Sequence, residues 1–149
     1  MARKTEFTDF VQQLEIEDVR LYKAKIENLG FWDMPDSDDV QVDVRTRSHY
    51  EDKKDGFVAY EDYIALIRNA RTSEKVARIS VTFAVSYFSK IPLNDRLFNQ
   101  FKAINLPLNT WPYFREFVHN VSARMGLPLL IAPALKIPLA GPVSKIKSM

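Results

Sequence analysis

The sequence predicts an α+β fold: a four-stranded antiparallel meander sheet with helices packed on one face. Two patterns carry this reading. Runs with the period-2 alternation of strands fill the chain as far as Tyr87, joined by short polar connections that suit antiparallel neighbours. Beyond Pro92 the apolar spacing becomes helical.

Thr8 to Gln13 is expected to form a short lead-in helix, with Asp9 in its first turn and Phe7, Phe10 and Val11 available to pack. Strand one begins at Leu14. Leu14 and Ile16 share one phase, Val19 and Leu21 take the other, and Tyr22, Ala24 and Ile26 return to the first. A regular strand keeps one phase, so a bulge or strong bend is expected near Glu17-Asp18. Asn28 to Asp39 reads as a loop, with Gly30, Pro35 and four aspartates.

Strand two is the clearest, since Val40, Val42 and Val44 alternate with Gln41, Asp43 and Arg45. Glu51 to Gly56 suits a hairpin turn. Phe57 to Arg68 is apolar on both faces except at Glu61, Asp62 and Arg68, which marks a strand covered on both sides or lying in an interface. A short helix competes for this run. After a turn at Asn69–Ser73, strand four sets Ile79, Val81, Phe83, Val85 and Tyr87 on one face and Arg78, Ser80, Thr82 and Ser86 on the other.

Two helices are expected next. Asn94 is a good N-cap for the first, with Leu93 and Phe98 at the positions of a hydrophobic staple. Leu97, Phe98, Phe101 and Ile104 form its stripe, and Asn105 and Pro107 end it. Asn109 or Thr110 caps the second, Pro112 fits its first turn, and Gly126 stops it. Phe114, Phe117, Val118, Val121 and Met125 lie along one face of that helix.

The chain has 149 residues, 46% hydrophobic and 27% charged, as expected of one folded domain. Cysteine is absent, which removes disulfides and thiolate metal sites and fits a reducing, cytoplasmic setting. No apolar run is long enough to span a bilayer, so no membrane insertion is expected. The charge of +2 is too slight to imply nucleic acid. Arg45, Arg47 and nearby lysines nevertheless make a sheet-based nucleic-acid binder the rival reading from another class, although carboxylates interleave with them.

Catalysis finds no candidate. The two histidines, His49 and His119, fall on polar faces, where a solvated role is favoured. Asp36-Ser37-Asp38-Asp39 lacks the central glycine and closing glutamate of a calcium loop. Glu61 and Asp62 are neighbours on a strand, so they point to opposite faces and cannot act as a pair. No cofactor or metal is expected. The informative excess is apolar: Leu127 to Pro142 is nearly all apolar and broken by four prolines, with Trp111, Tyr113 and Phe114 just upstream. Exposed, such residues would be costly in a monomer, and this favours a binding protein with an oligomer interface or a groove.

Pro112-Tyr113 followed by Arg115-Glu116, a helix ending near Arg124, then Pro128 and Ala132-Pro133 resemble the SecB family of export chaperones. The likeness spans roughly Leu14 to Leu135 and is specific over Trp111–Pro133. The Trp-Pro-Tyr start and the helical lead-in look closer to SecB-like chaperones associated with toxin–antitoxin systems. The resemblance implies an N-terminal lead-in (1–13), a chaperone domain (14–135) and a basic tail (136–149). It further implies an ATP-independent holdase whose partners are non-native polypeptides, either export precursors or an antitoxin, and a homo-oligomer built as a dimer of dimers. Trp111, Tyr113, Phe114, Phe117, Leu127, Leu129, Leu130 and Ile131 are the expected client-binding or interface residues. Ile16, Val19, Leu21, Val118 and Val121 are the expected oligomer contacts. The family is distinctly acidic and docks the translocase motor through an acidic sheet surface. Here strand one carries Lys23 and Lys25, with Glu27 as a remaining carboxylate, so the resemblance leaves motor docking unassigned. A proline-broken basic tail also stands where the family has a second C-terminal helix.

Overall fold

Alternation becomes four long strands in the structure, a computed structural model that describes residues 2–30 and 39–127. In chain order the elements are α1 (Ala2–Gln13), β1 (Glu15–Asn28), β2 (Val40–Lys53), β3 (Gly56–Asn69), β4 (Lys75–Phe88) and α2 (Asp95–Arg124). All strand pairings are antiparallel, and the sheet order is β1-β4-β3-β2. The expected α+β architecture is therefore present, with one correction. β2, β3 and β4 form the meander, whereas β1 joins it beside β4, and the chain crosses to the far edge before β2 begins. The expectation of a four-strand meander treated the Asn28–Asp39 loop as a local turn. That segment is long enough to cross the sheet's end, and residues 31–38 lie outside those described.

The run over β3 alternates buried and half-buried positions for its whole length, so the competing short helix is excluded. Phe57, Ala59, Glu61, Tyr63, Ala65 and Ile67 face the helices, as do Ala77 to Tyr87 at odd positions on β4. The hairpin expected at Glu51–Gly56 forms, with Asp55 at φ 62°. Gly56 is required there, because a Cβ would sit 1.9 Å from the Tyr87 carbonyl oxygen.

The two expected helices are one. α2 runs unbroken for 30 residues through Pro107 and Pro112. Each proline lacks an N–H and crowds the carbonyl four residues back, at a cost of about 3 kcal/mol inside a helix. Packing overrides that cost. Leu97, Phe98, Phe101 and Leu106 bury against Phe57, Ala59, Val85 and Tyr87, together with Phe10 of α1. Trp111, Phe114, Val118 and Val121 bury against Tyr63, Ala65, Ile79 and Val81. At roughly 1.5–3 kcal/mol for each large side chain, the eight helix residues outweigh two prolines. The prolines fall where α2 passes from one cluster to the other. There the Tyr63 and Thr110 hydroxyls lie 2.7 Å apart, and Asn109 donates to the Tyr87 hydroxyl at 2.6 Å.

The ends of α2 match expectation. The Asn94 side chain accepts the Leu97 amide at 2.8 Å, and Leu93 and Phe98 share one buried cluster. Gly126 takes φ 73°, and the Leu127 amide returns to the Ser122 carbonyl at 3.1 Å, closing the helix with Leu127 buried.

Candidate functional site

β1 is where the fold leaves apolar surface uncovered. Its register slips twice against β4, between Ile16 and Asp18 and between Leu21 and Lys23. The first slip is the bulge expected near Glu17-Asp18. The second answers the return of phase at Tyr22, which one bulge could not produce. Two bulges bring Ile16, Val19, Leu21, Ala24 and Ile26 opposite Tyr87, Val85, Phe83, Val81 and Ile79, all on the face that carries the helices.

The β4 partners are buried, yet the β1 residues are not: Ile16 is 50% exposed, Leu21 53% and Ile26 45%. The cause is the path of α2, which packs on β3 and β4 and stops short of the edge. On the flank of α2 nearest β1, Tyr113 is 50% exposed, with its ring 6.1 Å from that of Phe83, the register partner of Leu21. Phe117, one turn later on the same flank, is half-buried. Leu21 and Tyr113 thus lie on either side of buried Phe83, one on the strand and one on the helix, and the exposed apolar strip that they bound is the trough of the candidate site.

The expected site residues divide by burial. Tyr113, Ile16 and Leu21 are exposed along this trough, and Val19 and Phe117 are half-buried in it. Trp111, Phe114, Val118, Val121 and Leu127 are buried in the core, Phe114 stacked on Tyr63 at 4.3 Å. These five fasten the helix to the sheet and leave little or no side-chain surface for a partner. Leu129, Leu130 and Ile131 lie outside the described residues. Ile26 extends the strip and was not among the expected contacts. Its signal was the second phase change in strand one.

The chemistry of the face is otherwise sparse. Among the described residues no group of three or more His, Asp or Glu side chains could hold a metal ion. His49 is exposed and stacked on Tyr60 at 4.7 Å, and His119 is exposed on α2. Glu61 and Asp62 do face opposite sides of the sheet. Glu61 is 1% exposed, accepts a hydrogen bond from the Ser48 hydroxyl, and is pushed up to about 8 by burial.

No protein-family model matches the chain, and no curated protein matches it in sequence. Among solved structures, it is similar to the SecB-like chaperone Rv1957 of Mycobacterium tuberculosis, determined in complex with a ChAD peptide from the Rv1956 HigA1 antitoxin. The match has a TM-score of 0.75 at 19% identity and covers 87% of this chain and 95% of that one. The chain therefore has the SecB-like fold that the Trp111–Pro133 resemblance implied.

Proposed function

We propose that this SecB-like fold serves a non-catalytic, ATP-independent chaperone that holds non-native polypeptide in the trough between β1 and α2. The observation that carries this reading is that exposed Leu21 and Tyr113 lie on either side of buried Phe83. Completing the burial of Ile16, Leu21 and Ile26, each about half exposed, contributes roughly 1 kcal/mol apiece. Such burial is non-directional, so the trough accepts many apolar sequences. Among the described residues β1 is also an edge strand, to which an extended client can add its backbone.

A dedicated chaperone of an antitoxin is the narrower form of this reading, and the antitoxin peptide bound by the Mycobacterium tuberculosis neighbour favours it over a general role in export. Light scattering from a thermally unfolded client tests the shared chemistry. The protein is expected to suppress aggregation without ATP, and Tyr113→Ser to lose most of that effect. Suppression is expected to persist in added salt, whereas a nucleic-acid complex weakens steeply. Scattering that the protein leaves unchanged sinks the proposal. Polypeptides co-purified from the native cell then separate the two forms: one small partner supports the dedicated chaperone, and a broad set of precursors supports export.

A further inference from the structure

The face of the sheet away from the helices has a different chemistry, and the register fixes its layout. Lys23, Thr82, Asp62 and Arg47 form one row across β1, β4, β3 and β2. Lys25, Ser80, Ile64 and Arg45 form the next, and Glu27, Arg78, Leu66 and Asp43 the third. Carboxylates in the outer rows are answered on the face itself. Asp62 meets Arg47 at 3.3 Å and the Thr82 hydroxyl at 2.6 Å, Glu27 meets Arg78 at 3.6 Å, and Asp43 meets Arg68 at 3.5 Å.

The middle row differs, with a cation at each end and no carboxylate of its own. Arg45 makes no ion pair among the described residues. Lys25, its side chain 75% exposed, comes no nearer to a carboxylate than 3.9 Å, at Glu27, which Arg78 already engages. Between the two cations Ile64 is 42% exposed beside Ser80. A shallow concavity of about 550 Å³ opens over this row and the third, with Arg68 and Lys75 at its margin.

We propose that the Lys25–Ser80–Ile64–Arg45 row docks an extended acidic polypeptide segment of the form acid–x–apolar–x–acid. The geometry sets the spacing. From β1 to β2 is three interstrand steps, about 14 Å, and residues four apart in an extended chain lie about 13 Å apart on one side of it. Such a segment, laid across the strands, brings its carboxylates to Lys25 and Arg45 and its central apolar side chain onto Ile64. Polyphosphate suits the row less well, because Glu27, Asp43 and Asp62 flank it and its centre is apolar. The row lies on the opposite face from the trough, so the two surfaces can be occupied together.

Fluorescence anisotropy with a labelled Ser-Glu-Thr-Leu-Thr-Glu-Ser peptide tests this. Binding is expected to saturate and to weaken about tenfold when both glutamates become glutamine, as for the loss of two exposed charge pairs. The double variant Lys25→Glu, Arg45→Glu is expected to lose binding by at least that factor with an unchanged thermal midpoint, since both side chains project from the open face. Tyr113→Ser, which alters only the trough, is expected to bind this peptide normally. Equal affinity for the glutamine peptide, or retained binding in the double variant, overturns the proposal. So does displacement of the peptide by single-stranded oligothymidylate at lower concentration than by unlabelled peptide, which would assign the face to nucleic acid.

Discussion

Glu61 occupies the middle of the core-facing row of β3, between Ala59 of one apolar cluster and Tyr63 of the other. Burial favours its neutral form, nearby Asp62 pushes in the same direction, and the Ser48 hydroxyl and Lys102 oppose them only in part. A carboxyl raised from 4.5 to about 8 keeps its proton in the folded protein where the unfolded chain has lost it. Its contribution to stability is therefore complete below pH 4.5, declines as pH rises, and is gone above about 8. The full decline is on the order of 5 kcal/mol. Chemical denaturation between pH 5 and pH 8 is expected to show most of this loss, and Glu61→Gln to remove most of it while stabilising the protein at pH 8. A wild-type stability that is flat across that interval refutes the assignment. The sequence marked Glu61 only as a polar interruption in an apolar run. Its position on the buried side followed from register, which depends on which face α2 covers.

At the scale of elements, α2 and β1 each depart from what local pattern predicts. In α2, local preference breaks the helix at Pro107 and restarts it at Pro112, while the observed helix continues because both halves bury onto one sheet. Pro107 is buried, whereas Pro112 is exposed and makes no comparable contribution to the core. Pro112→Ala restores the missing amide donor and removes the steric conflict with Leu108. It is expected to raise the unfolding free energy by about 2 kcal/mol, less than the full helix penalty because proline also restricts the unfolded chain. Urea denaturation measures this, and an unchanged midpoint shows that the helix already accommodates the ring. In β1 the phase changes read from the sequence were true signals of bulges, and counting both yields the uncovered face. Both elements carry the Tyr113–Leu21 trough, so the site was legible as two separate apolar patterns and not as one surface.

For the whole molecule, the consequence is an exposed edge. Among the described residues no strand pairs with the outer side of β1, and Ile16, Leu21 and Ile26 lie exposed beside it, a combination that isolated monomers seldom leave open. Self-association through β1 is expected on this ground in the absence of client, so that a second copy and a client compete for Ile16, Leu21 and Ile26. Ile16→Asp with Ile26→Asp is expected to reduce the mass measured by multi-angle light scattering, while Tyr113→Ser leaves it unchanged. If the wild type is already monomeric at micromolar concentration, the edge serves clients alone. Among the described residues, no helix is long and apolar enough to cross a membrane.

What the sequence determined by itself was local. Period-2 spacing placed the four strands, the lead-in helix was legible only over Thr8–Gln13 of Ala2–Gln13, Asn94 and Gly126 placed the ends of α2, and the Trp111–Pro133 pattern pointed to the fold. These features depend on neighbours within a few residues, where backbone preference and side-chain period act directly. Tertiary structure decided the rest: that β1 lies beside β4, that α2 survives its prolines, and that Trp111, Phe114 and Val118 belong to the core while Tyr113 does not. The reason is that apolar character is the same for a residue that will be covered and one that will not. Only the path of α2 across the sheet, set by the sum of many buried contacts, separates the two.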